Sequence, residues 1–241
     1  VGGKGGTVPQ RSSPSPAATI AGAMTEPHAP TGRCPPLAGW QRPGRAWIAL
    51  ALLLAAGALL AAAWPAAALD WQPGLVWREP WRWWTAAWVH GSPRHLGANL
   101  AASVLVAALG WAARAPAGLA LAWALAWPLT QLGWLAGPPL AHFGGLSGVL
   151  HAGVAVAALG LVWRERGARR VVGGLLLAGL ALKLGLEQPW GPALRHPAGW
   201  DIAVAPWSHA SGTVAGLLAA AAALSAPPYR RTTVRADTPC R

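Results

Sequence analysis

Six apolar stretches, joined by short charged segments, constrain this chain more than any other feature of its sequence. They run over residues 46–69, 95–113, 117–136, 147–163, 170–186 and 207–226. A helix crosses a bilayer core with roughly 17 to 25 apolar residues, and each stretch reaches or approaches that length. Unpaired backbone amides are so costly in lipid that these stretches are expected to be helices, with the Gly- and Pro-rich joints between them or lining a cavity. The fifth is the weakest: it is short and holds Lys183 near one end, where the amine can reach outward. The expected fold is therefore an all-α membrane protein, a bundle of six transmembrane helices.

Charge supports this and sets a direction. Apolar residues make up 54% of the chain and charged residues 11%, so the net charge of +12 sits in the joints and not along a soluble face. The basic residues flank hydrophobic segments, which argues for a lipid bilayer as partner and against nucleic acid. Counted on alternate sides of the six stretches, fourteen Lys and Arg fall with the two termini. Five fall opposite: Arg78, Arg82, Arg94, Lys183 and Arg195. The positive-inside rule then places both termini in the cytoplasm and the loop from Asp70 to Arg94 outside.

Residues 1–45 are rich in Pro, Gly, Ser and Ala, lack apolar periodicity and are expected to form a disordered cytoplasmic tail. Residues 46–226 form the expected six-helix domain and 227–241 a second cytoplasmic tail. The one methionine, Met24, offers an alternative start, and the first apolar run is long enough to remain as an anchor instead of being cleaved as a signal. Cys34 and Cys240 lie in the tails with no CxxC spacing, so neither a disulfide framework nor a zinc site is expected.

Polar residues in such segments are expensive and by default functional. Ser147, in Gly145-Leu146-Ser147-Gly148, opens the fourth stretch, and His209 lies near the start of the sixth. With the direction above, both fall at the outer ends of their helices. His90, His95 and Asn99 fall on the same side at the start of the second. Serine-based hydrolysis of an amide needs a base for the hydroxyl proton and donors for the developing oxyanion. His209 can serve as base to Ser147, although no carboxylate is obviously placed to orient it. The Ser147 N–H, at a helix start, and His95 with Asn99, four apart on one helical face, can supply donors. Gly148 and Ala152 after the serine, with Gly212 and Gly216 after the histidine, would let the two helices pack backbone to backbone.

Each of these residues alone has an ordinary explanation: helix packing for the glycines, a bond to a carbonyl one turn back for the serine, interhelical glue for His95 and Asn99. Together, at matched depth, they favour catalysis. His151 lies four residues after Ser147 on the same face and is an alternative base, though one turn deeper. His142 can line the cavity mouth, and His28 and His196 have no supporting context.

From Glu79 to Gly216 these motifs resemble the rhomboid family of intramembrane serine proteases. Glu79-Pro80-Trp81-Arg82 followed by Trp83-Trp84-Thr85 is similar to the family's Trp-Arg loop. His90, His95 and Asn99 follow the family spacing, Gly145-Leu146-Ser147-Gly148 resembles the nucleophile motif, and His209-Ala210-Ser211-Gly212 with Gly216 resembles the base-bearing helix. The resemblance implies a Ser147–His209 dyad, an oxyanion site of His95, Asn99 and the Ser147 amide, no cofactor and no metal. Arg82 is expected to hold the loop through Glu79 and to do no chemistry. Many relatives carry an aromatic residue at the position of His151, beneath the catalytic imidazole.

Gly-Leu-Ser-Gly-Val-Leu-His in a compact six-helix chain is instead similar to the rhombosortase branch. That likeness implies exported substrates with a C-terminal tail of a glycine-rich motif, one transmembrane helix and basic residues. It also implies a bacterial inner membrane with the site facing the periplasm. The rival readings are a non-catalytic rhomboid-like protein that binds membrane helices, a metal- or haem-binding membrane protein and a transporter. Non-catalytic relatives typically lose the serine or the histidine, and both stand here. No HExxH supports a zinc protease, and no inverted repeat or charged midplane pair supports transport.

Overall fold

A computed structural model of the chain describes residues 1–2, 43–199 and 201–226. The chain divides into two compact units, Val1–Pro36 and Leu37–Arg241. Only Val1 and Gly2 of the first are described, so the architecture below is that of the second. Most of the expected N-terminal tail, and 227–241 of the C-terminal one, lie outside the described residues.

Among the described residues six long helices dominate: α1 Arg45–Ala61, then, after two one-turn helices, α4 Pro93–Ala112, α5 Ala117–Leu132, α6 Ser147–Arg164, α7 Gly167–Glu187 and α8 Pro206–Ser225. The short ones are α2 Ala66–Leu69 and α3 Arg82–Thr85, and 3-10 turns cover Ala86–Trp88 and Gly133–Ala136. Among the described residues β-pairing is confined to two isolated bridges, Trp71 with Phe143 and Arg195 with Val204. α4, α5 continued to Ala136, and α6 are long and apolar enough to cross a membrane, and α1 is a shorter apolar helix. α7 carries Arg169, Arg170, Lys183 and Glu187, and α8 mixes polar residues into a run of alanines.

Two boundaries differ from expectation. The first apolar run does not continue to residue 69. It ends at Ala61, and Pro65 sets a new start for α2, because proline has no amide to continue the ladder and its ring disfavours a helical residue before it. The fifth segment is not short: α7 runs 21 residues, its charged ends included, and stops where Gln188 turns left-handed at φ 48°.

α6 is the central helix. Ala152, Ala155, Val156 and Ala158 on it are fully buried, and it packs against α4, α5, α7 and α8. Tryptophans lock the neighbours in place through backbone carbonyls. Trp47 Nε1 donates to Val106 O at 2.9 Å and Trp123 Nε1 to Val149 O at 2.8 Å. The two indoles also tilt against each other, centroids 4.5 Å apart. Each ring thus satisfies its one polar atom while burying a large apolar body.

α8 lies backbone to backbone on α6. A Cβ built on Gly212 would stand 1.9 Å from the Gly148 carbonyl oxygen, and one on Gly216 would stand 2.5 Å from that of Ala152. These are the four small residues whose spacing stands out in the sequence, and small residues at such spacing permit this approach.

Candidate active site

The beginnings of α4, α6 and α8 and the end of α7 meet at one end of the bundle. α4 starts cleanly: Pro93 takes the first position, and Ser92 Oγ accepts from the His95 amide at 3.0 Å. α6 starts at Ser147 itself, and Leu146 before it offers no side-chain cap, so the first amides of this helix lack intrahelical partners. The approach to Ser147 depends on Gly145, whose φ of 150° suits glycine and whose missing Cβ would lie 3.3 Å from His95 Cε1. Its amide is fixed by the Ala86 carbonyl at 3.0 Å.

Ser147 Oγ lies 2.9 Å from His209 Nε2. His209 is buried, and its other nitrogen, Nδ1, lies 2.7 Å from Glu187 Oε2. The sequence expectation that no carboxylate orients His209 is therefore corrected: Glu187, the last residue of α7, stands on the side of the ring opposite Ser147. The second Glu187 oxygen takes the Lys183 amine one turn earlier on the same helix. His151 is not poised as a rival base. Its ring stacks on that of His209, centroids 4.2 Å apart and planes 11° from parallel, and its Nδ1 bonds the Ser147 carbonyl at 2.7 Å. An imidazole thus lies under an imidazole.

A cavity of about 1040 Å³ opens over these groups. Ser147, His209, His95, Asn99 and His151 line it, so these five expected residues converge. Glu187, Lys183, Asp70, Arg195 and two further histidines, His142 and His196, also line it. Asn99 is buried among these lining residues, and its backbone carbonyl accepts from Ser103 Oγ at 2.8 Å. His196, without context in the sequence, reaches the wall because the bridge between Arg195 and Val204 folds the segment after α7 across the opening.

Other residues expected at the cavity stand around it. Gly148, Gly212 and Gly216 lie in the α6–α8 contact, and Gly145 lies behind His95. His90 packs edge-on against His95, centroids 4.7 Å apart, with its Nδ1 on the Trp88 carbonyl at 2.9 Å. Burial holds the His90 imidazole below its usual range, opposed by that carbonyl.

Trp81 is half exposed and does not line the cavity. Arg82 is buried and also outside it, where it donates from Nε to Glu79 at 2.7 Å and from Nη1 to the Asp70 carbonyl at 2.6 Å. Arg82 Nη1 also donates to Asp70 Oδ1 at 3.1 Å, and the other Asp70 carboxylate oxygen bonds His142 at 2.7 Å. The loop between α1 and α4 is thereby tied to the segment that precedes Ser147, and the paired Trp71 and Phe143 backbones reinforce the tie.

A hydroxyl bonded to a buried imidazole, beside uncapped amides and a buried carboxamide, is chemically fit for nucleophilic attack on a carbonyl. The family model described as the rhomboid domain matches residues 77–226, from the loop between α1 and α4 to the end of α8. No curated protein matches the chain significantly. With well over half its length matched, this chain belongs to the rhomboid family, integral membrane proteins that are generally intramembrane serine proteases acting on transmembrane substrates.

Proposed function

We propose that this protein is an intramembrane serine endopeptidase of the rhombosortase-like branch, acting on single-span substrates near their periplasmic end. The observation that carries the reading is the 2.9 Å contact between Ser147 Oγ and His209 Nε2 at the wall of a large cavity. Ser147 attacks the scissile carbonyl while His209 Nε2 takes its proton. The negative oxygen of the tetrahedral intermediate is held by the Ser147 amide, His95 and Asn99. Collapse breaks the C–N bond, and the proton on His209 leaves with the amine. Water then enters the cavity and attacks the acyl carbon while His209 takes its proton; as the acyl C–O bond to Ser147 breaks, His209 returns that proton to Oγ.

In this reading residues 46–226 are the protease domain and all six long helices span a bacterial inner membrane. Both termini lie in the cytoplasm and the cavity opens to the periplasm. The substrate is a C-terminal sorting tail whose glycine-rich segment precedes its single span. Glycine there lowers the cost of unwinding the helix end into the extended backbone that a protease must grip. The Gly-Leu-Ser-Gly-Val-Leu-His motif supports this branch, and His151 stacks beneath the base where many relatives carry another aromatic ring.

The test is cleavage of a reporter with a Gly-Gly tail, beside an ordinary single-span reporter, by the detergent-solubilised protein. Ser147→Ala is expected to abolish cleavage with the thermal midpoint unchanged. Cleavage by that variant at the wild-type rate overturns the assignment, and preference for the ordinary reporter overturns the branch.

A further inference from the structure

We infer that Glu187 completes a Ser147–His209–Glu187 triad, as a positioning residue that acts through His209, with Lys183 fixing its carboxylate. The inference deepens the protease reading and rests on it.

Geometry points to this role. Glu187 Oε2 is 2.7 Å from His209 Nδ1 while Ser147 Oγ is 2.9 Å from Nε2, so the imidazole is held at both nitrogens, between two helices other than its own. An ionised carboxylate can only accept a hydrogen bond. It therefore selects the tautomer with the proton on Nδ1, which leaves Nε2 free to accept the serine proton. Once that proton arrives the ring is a cation in a poorly solvated place, and a carboxylate already in contact stabilises it with no rearrangement.

Lys183 supplies what such a carboxylate needs at this depth. An isolated carboxylate among apolar helices tends to take up a proton and would lose its grip on the Nδ1 proton. Lys183, one turn earlier on α7, occupies the second oxygen of Glu187. The carboxylate stays charged and its rotamer is set, with one oxygen on the lysine and the other on the histidine. The local backbone is also fitted to this. α7 ends at Glu187 because Gln188 adopts φ 48°, and the chain turns away into the segment that crosses the cavity. Gln188 Oε1 accepts from Arg195 Nη2 at 2.7 Å, which ties that segment back to the helix end.

A purely structural Lys183–Glu187 pair would predict something different, since an exposed pair one turn apart adds only a few tenths of a kcal/mol to a helix. Its loss would alter stability slightly and leave the chemical step alone.

The experiment compares wild type, S147A, Glu187→Gln, Glu187→Asp and Lys183→Met in detergent. It measures the rate of Ser147 labelling by a fluorophosphonate, kcat and KM on the Gly-Gly reporter, and the thermal midpoint. Removing the carboxylate from other serine-protease triads costs about 10⁴-fold in kcat. Glu187→Gln is therefore expected to lower labelling and kcat at least about 100-fold with KM within about threefold and the midpoint unchanged. Glu187→Asp is expected to recover part of the loss, and Lys183→Met to lose less than Glu187→Gln.

Should Glu187→Gln fail to hold its fold, Glu187→Asp and Lys183→Met decide, and wild-type kcat in both overturns the triad. Wild-type labelling by a folded Glu187→Gln, with S147A unlabelled, overturns the role of Glu187 and leaves the protease reading standing. S147A labelled as fast as wild type overturns both.

Discussion

At 3% exposure, Arg82 is the most deeply buried cation described. Its guanidinium holds Glu79, the Asp70 carboxylate and the Asp70 and Ala67 carbonyls. A buried charge is tolerable when every donor is satisfied, and removing one partner leaves the others stranded. Arg82→Ala is therefore expected to destabilise the protein by about 3 kcal/mol while cleavage at low temperature falls less than tenfold. A thermal melt beside a cleavage assay checks this, and a large loss of turnover with an unchanged melt would contradict it. His142, on the other oxygen of Asp70, is part of the same clamp.

At the scale of elements the α6–α8 contact governs the site, because Ser147 and His209 begin those two helices. Gly212→Ala would put a methyl group 1.9 Å from the Gly148 carbonyl oxygen, a backbone atom that cannot swing aside. The helices must separate, so stability is expected to drop by about 1 to 3 kcal/mol and cleavage to fall with it. The control is Gly174→Ala on α7, where a Cβ meets nothing within 4 Å. That change is expected to leave activity intact and to leave stability equal or slightly raised. Matched melts and cleavage rates of the two variants separate packing from a general intolerance of substitution.

This contact was legible in the sequence, since Gly148 with Ala152 and Gly212 with Gly216 repeat at the spacing of one helix face. So was the meeting of His95, Asn99, Ser147 and His209, because each stands at the start of an apolar run and the runs alternate in direction. The partner of His209 was not. Glu187 lies 22 residues earlier in sequence, at the end of the weakest apolar run, and reaches Nδ1 only because α7 and α8 dock on the same central helix. Its local mark, Lys183 four residues before it, reads equally well as a helix-end ion pair. The break at Pro65 needed only that proline to be given its full weight against a hydrophobic run.

For the whole molecule the proposed orientation in the bilayer follows from the fourteen-to-five distribution of Lys and Arg. With Cys34 and Cys240 replaced by alanine, a cysteine at Ala198 is expected to react with a membrane-impermeant maleimide in cells whose outer membrane alone is opened. One at Arg166, between α6 and α7, is expected to react only after the inner membrane is breached. The reverse pattern would invert the topology and with it the side on which substrates are cut.

The pairing of Trp47 with Trp123 carries a consequence of another kind. Two fully buried indoles with centroids 4.5 Å apart and planes tilted by 32° are close enough to couple their electronic transitions. The docking of α1 onto α5 is thus expected to leave an exciton contribution in the dichroism of the protein, an optical readout of the seating of its first long helix.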